Sequence, residues 1–129
     1  ISGAISWFQK RKKIVAVEPE NCPTLNVALK KGKPSNVSVS GVAASALGAK
    51  SIGNICFNLS KENQIESLLV SDDEIETARR LLWENHRIFV EPAGAAALAA
   101  IISGKYKPKT EEKLAVLICG ANPNIIPEF

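Results

Sequence analysis

Short apolar runs alternate with helix-patterned segments along almost the whole chain, and this alternation leaves few folds open. Residues 14–17, 68–70, 88–90 and 114–118 are runs of Ile, Val, Leu, Phe and Ala without polar interruption, the pattern of strands covered on both faces. Between them lie segments with apolar residues at helical spacing. Residues 2–11 carry Ile5, Trp7 and Phe8, and a helix opened by Pro23-Thr24 runs through Leu25, Ala28 and Leu29 to Gly32 and Pro34. Residues 47–59 carry Leu47, Ile52, Ile55, Cys56 and Leu59; residues 72–85 carry Ile75, Ala78, Leu81 and Leu82 behind a Ser71/Glu74 capping box; residues 93–103 are small and stop at Gly104. Strands joined through helices imply right-handed crossovers, so the expected fold is α/β, a mostly parallel sheet with helices on both faces. With no internal repeat or linker, residues 1–129 are expected to form a single α/β unit.

Bulk properties exclude several function classes. A chain of 129 residues with 46% hydrophobic and 22% charged content suits one globular core. The longest apolar stretch, 93–102, falls short of the ~20 residues that cross a bilayer. Net charge is +3, and the one dense basic run, Lys10 to Lys13, follows the first helix, where cations complement the negative helix end. No aromatic residues interleave with it as stacking platforms, so neither nucleic acid nor membrane is an expected partner. Cys22, Cys56 and Cys119 show no metal-binding spacing and make an odd set, so a reducing cytoplasm is the expected setting. The chain contains no methionine and opens on Ile1, which reads as an internal point of a longer chain.

Three stretches have the make-up of ligand loops. Ser40-Gly41-Val42-Ala43-Ala44-Ser45 is small enough for backbone to approach a ligand, or is an ordinary connection. Glu91-Pro92-Ala93-Gly94-Ala95-Ala96-Ala97 sets an acid at a strand end before a helix of little bulk, which suits a flat ligand or simply tight packing on a sheet. Cys119-Gly120-Ala121-Asn122 ends the last apolar run, at the carboxyl edge where ligands of open α/β sheets collect. A nucleophilic role for Cys119 needs a base, and the lone His86 stands among Asn85 and Arg87 as a surface residue would.

Together with Val17-Glu18-Pro19-Glu20-Asn21, these stretches resemble, in the same order and with similar spacing, the carboxyl-terminal half of threonine dehydratases. These belong to the threonine/serine dehydratase and serine racemase branch of the fold-type II pyridoxal-phosphate enzymes. The resemblance covers nearly the whole chain and implies part of that fold's large domain. Ile1-Ser2-Gly3 matches the segment after the family's phosphate-cradling glycines, so the resemblance places Ser2 and Gly3 near the cofactor phosphate. Cys119 matches a Ser or Cys beside the pyridine nitrogen, Glu91 an acid near the ring, and Gly41 and Val42 a loop whose backbone faces cofactor or substrate. Glu18 matches a carboxylate of metal-dependent members, with the Cys22 carbonyl as a further ligand. Where those members place an acid, this chain has Thr24, which removes a hard charge and weighs against a tight Mg²⁺ or Ca²⁺ site. Pro123-Asn124 also departs from the Thr-Asp of many relatives.

The resemblance implies conversion of L-threonine to 2-oxobutanoate and ammonia, as in isoleucine biosynthesis, by a homo-oligomer. No lysine here has the Ser-x-Lys-like setting of the family's Schiff-base lysine, so no catalytic residue is assigned and the chain alone is expected to be inactive. A serine racemase or a non-catalytic α/β binding or regulatory module are the alternatives.

Overall fold

The computed structural model describes residues 1–121, so the expectations for Asn122, Pro123 and Asn124 lie outside the described residues. Helix α1 (Ser2–Phe8) passes through a short 3₁₀ turn, Gln9–Arg11, into strand β1 (Val15–Pro19). Helices α2 (Thr24–Lys31), α3 (Ala44–Leu47) and α4 (Asn54–Glu62) follow, then strand β2 (Glu66–Val70) and helices α5 (Asp72–His86) and α6 (Pro92–Ile102).

β1 and β2 pair in parallel, with Val15 opposite Glu66 and Pro19 opposite Val70. Side chains alternate across a strand, and the helices divide accordingly. Val15, Val17, Leu68 and Val70 face the main core of α5 and α6, where Ile75, Ala78, Leu82, Ala95, Ala96, Ala99 and Ala100 are buried. On the other face α2 covers the sheet, and its Asn26 side chain donates to the Ser67 carbonyl at 3.3 Å and to the Ser67 hydroxyl at 3.1 Å. The expected α/β class therefore holds: strands pair in parallel, with helices on both faces. The alanines of α6 let it lie close against both strands and α5.

Three expected elements differ. Residues 47–59 form no single helix, because the chain leaves α3 at Gly48 and re-enters a helix only after Gly53, with Ala49 and Lys50 turned to other partners. The Ala49 carbonyl accepts from the Thr24 hydroxyl at 2.6 Å, and the Lys50 carbonyl from the Val37 amide at 2.9 Å. Residues 88–90 and 114–118 join no ladder, so the described sheet has two strands. The Val90 carbonyl instead accepts from Arg79 Nε at 3.0 Å, and the Ile88 amide closes α5 on the Leu82 carbonyl at 3.2 Å. Leu117 is 75% exposed, so the last apolar run lacks the double cover that its composition implied. No helix among the described residues is long and apolar enough to cross a membrane.

The expected capping box is present: Ser71 Oγ accepts from the Glu74 amide at 3.2 Å, and Glu74 Oε2 from the Ser71 amide at 2.7 Å. Glu74 also pairs with Lys105 Nζ at 2.8 Å. Burial works to raise the Glu74 carboxyl, but hydrogen bonds from Lys105 and Ser71 hold it below the ordinary value of 4.5. A depressed folded-state value means that this stabilisation is complete above the unfolded-state value and is lost as pH falls through the folded-state one. Glu74→Gln keeps a capping side chain but cannot titrate. Wild type is therefore expected to unfold at higher temperature than Glu74→Gln at neutral pH, with the gap closing as acid protonates the depressed carboxyl, as followed by far-UV circular dichroism.

Candidate functional site

Parallel pairing sets the carboxyl ends of β1 and β2 side by side, and the Glu20 amide donates to the Val70 carbonyl at 2.8 Å. The loop after β1 carries Glu20, Asn21 and Cys22; β2 leads directly into Ser71 and Asp72. Lys105 spans this edge, pairing with Glu20 at 3.1 Å as well as with Glu74.

Gly41 and Val42 come to the same edge. The Ser40 amide donates to the Asn21 carbonyl at 3.1 Å, and the Cys22 thiol donates to the Ser40 carbonyl at 3.2 Å. Gly41 has φ +85°, in the left-handed region, and Val42 is exposed. Ala43 immediately afterwards is buried in the core shared with Ala95 and Ala96, so α3 lies against α6.

Glu91 and Gly120, remote in sequence, also meet. Glu91 stands at the N-cap position of α6, and its amide donates to the Gly120 carbonyl at 3.4 Å. A Cβ on Gly94 would stand 2.5 Å from Val90 Cγ2, 3.2 Å from the Gly120 carbonyl oxygen and 3.4 Å from the Cys119 carbonyl carbon. A side chain at 94 would collide with Val90 and press on the Gly120 carbonyl, so the absence of one keeps the start of α6 close to both. The Cys119 side chain is exposed and in no disulfide. Ser2 and Gly3 open α1, which packs on α4, and no hydrogen bond among the described residues ties them to the other candidates. His86 is exposed at the end of α5, as its sequence setting suggests.

The metal candidates are engaged otherwise. Glu18 Oε1 accepts from the Leu25 amide at 2.7 Å and Oε2 from the Asn26 amide at 2.8 Å, so this carboxylate caps α2, whose own N-cap is Pro23. Burial pushes the Glu18 carboxyl up, against the pull of the Leu25, Asn26 and Thr24 amides. The Cys22 carbonyl accepts from the Thr24 amide at 3.0 Å, and the Thr24 hydroxyl donates its proton to the Ala49 carbonyl. Such a set does not fit a hard divalent cation, which takes 6–8 oxygens or a near-octahedral shell.

Asp72 was missed in the sequence, where it stands as an ordinary first-turn acid. Asp72 Oδ2 accepts from the Val42 amide at 3.3 Å and from Asn21 Nδ2 at 3.2 Å. Its place two residues beyond a parallel strand was the available signal.

The chain matches the family described as pyridoxal-phosphate dependent enzymes over residues 1–120, and it belongs to that family. It is 34% identical over 121 residues to the biosynthetic L-threonine dehydratase IlvA of Haemophilus influenzae, covering 93% of this chain and 24% of that protein. It is 30% identical over 125 residues to the L-threonine ammonia-lyase of Thermotoga maritima, covering 97% of this chain and 31% of that protein. Among solved structures, the T.th. threonine deaminase superposes with TM-score 0.83 at 27% identity, over 98% of this chain and 45% of that one. Serine racemase from Dictyostelium discoideum superposes with TM-score 0.79 at 30% identity, over 95% of this chain and 38% of that one. The chain thus spans about a quarter to a third of the length of these curated relatives.

Pyridoxal phosphate is the family's cofactor. Of the residues that the resemblance sets beside it, Glu91 lies where the start of α6 meets Gly120, with Cys119 next along the chain, and Gly41 and Val42 lie at the edge shared by β1 and β2.

Two outcomes are expected. Glu18→Ala leaves the Leu25 and Asn26 amides without their partner and costs about 1–3 kcal/mol in urea unfolding, while added Mg²⁺ or Ca²⁺ leaves the wild-type melting temperature unchanged. Gly94→Ala sets a Cβ 2.5 Å from Val90 Cγ2, overpacks the start of α6 and costs about 1–3 kcal/mol by the same measurement.

Proposed function

We propose that this chain is a carboxyl-terminal portion of a larger catalytic chain, a pyridoxal-phosphate-dependent dehydratase. Its reaction takes L-threonine to 2-oxobutanoate and ammonia, or L-serine to the corresponding 2-oxo acid. The observation that carries the reading is the juxtaposition of Glu91, at the start of the alanine-rich α6, with Cys119 and Gly120. The activities for which the relatives are named, threonine dehydratase, ammonia-lyase and deaminase, point the same way.

The cofactor, when bound, supplies an electron sink for cleavage of the bond between Cα and its proton. Cys119 stands beside the pyridine nitrogen in this reading. A thiol, unlike a carboxylate, brings no formal negative charge to hold a proton on that nitrogen, which keeps the sink weak and favours prompt departure of the β-hydroxyl. The Gly41–Val42 backbone orients the ligand from the opposite loop, and Glu91 presents its carboxyl near the ring. Ser2 and Gly3 face the phosphate, with amide donors of α1 favouring the anion.

None of the lysines in the chain has the setting of a Schiff-base lysine, so the 129-residue chain by itself turns over no threonine. The complete enzyme is read as a cytoplasmic homo-oligomer acting on a small amino acid. Serine racemase is the second reading, favoured by the 37% identity over 75 residues to the Dictyostelium discoideum enzyme.

Assay of the complete protein on L-threonine is expected to release 2-oxobutanoate and ammonia. D-serine appearing from L-serine without ammonia selects the racemase. Cys119→Ser is expected to keep turnover, whereas Cys119→Asp lowers it roughly tenfold, equivalent to about 1.4 kcal/mol of barrier. A complete protein that releases neither product from either substrate refutes both enzyme readings.

A further inference from the structure

We propose that Asp72 is a positioning residue of this site, its carboxylate holding the Gly41–Val42 loop in the shape that meets the ligand. The inference rests on the reading that this loop faces cofactor or substrate. Asp72 is the first residue of α5, anchored by the capping box of Ser71 and Glu74 directly beyond the carboxyl end of β2. It therefore projects from one of the best-fastened points of the chain, whereas residues 40–43 belong to no helix or strand.

The contact between them is close. A Cβ on Gly41 would collide with Asp72 Oδ2 and stand 2.8 Å from Oδ1, inside any allowed approach. The carboxylate thus occupies the space that a side chain at 41 would need, and the left-handed φ of +85° at Gly41 turns the Val42 amide onto Oδ2 at 3.3 Å. Asn21 Nδ2 reaches the same oxygen at 3.2 Å, so one atom joins the loop after β1, the 40–43 loop and the start of α5.

Asp72 Oδ1 is buried and has no hydrogen-bond partner among the described residues. A bare buried carboxylate oxygen opposes folding, and such a group calls for an explanation other than stability. Its explanation here is the loop: Oδ1 and Oδ2 together form the wall against which Gly41 rests. Loss of that wall frees the Val42 amide and lets the loop relax. Displacements on the order of 1 Å at a site can cost about a hundredfold in rate.

The test uses the complete protein loaded with pyridoxal phosphate. Wild type is assayed first: failure to bind the cofactor or to act on threonine or serine refutes the functional reading and this inference with it. Given an active wild type, Asp72→Ala is expected to lower kcat between about tenfold and a hundredfold and to change the visible circular dichroism of the bound cofactor. Asp72→Asn, whose amide oxygen still accepts from Val42, is expected to restore most of both signals. Asp72→Ala that lowers only the melting temperature, with kcat per folded enzyme and the dichroism unchanged, overturns the positioning role and leaves the functional reading intact. Where Asp72→Ala does not fold, Gly41→Ala is read on the same signals, because its Cβ forces the loop off the carboxylate. Unchanged kcat and dichroism in that variant equally overturn the inference.

Discussion

Parallel pairing of β1 with β2 is the constraint from which the rest of the structure follows. Two strands running in the same direction end at the same edge, and with Pro19 opposite Val70 the segments that leave them start side by side. Pro19 has no amide to offer, and the ladder is continued one residue later by the Glu20 amide on the Val70 carbonyl. From that point the chain turns on one side into the Asn21–Cys22 loop and on the other into the capped start of α5. The Asn21–Asp72 hydrogen bond and the pairing of Lys105 with both Glu20 and Glu74 depend on those two exits being neighbours.

Charged groups along this edge act as fasteners. Glu18 closes the start of α2, Glu74 closes the start of α5, and Lys105 pairs with Glu20 and Glu74 across the edge. The Lys105 pairs are partly exposed and contribute modestly in water. Their geometric effect is larger, because they bind the end of α6 to both strand exits. Between these fasteners the edge carries backbone and small side chains, Gly41 and Ala43 among them.

The apolar surface of the chain is divided unevenly. Between the sheet, α5 and α6 the side chains are nearly inaccessible, with Ile75, Ala78 and Ala95 at 0% exposure. Elsewhere Trp7, Ile55 and Leu117 stand exposed at 73%, 76% and 75%.

The sequence by itself determined the strands near 14–17 and 68–70, the helices over 72–85 and 93–103, the capping box at Ser71 and Glu74 and the stop at Gly32, because each depends on residues within a few positions of one another. Family resemblance singled out Glu91 and Cys119 separately, and the contact between Glu91 and Gly120 came only with the structure. Tertiary structure decided what local pattern cannot carry. An apolar run such as 114–118 becomes a ladder strand only where a neighbour offers matching amides and carbonyls, and here none is described. Glu18 reads as a metal ligand until the backbone brings Leu25 and Asn26 to both of its oxygens. Asp72 reads as a helix-start acid until a glycine 31 positions earlier is seen resting on it. For Asp72 the partner lies in a distant segment, and for Glu18 it lies seven and eight residues on, across a turn; in both, only the folded backbone brings the groups within a hydrogen bond's length.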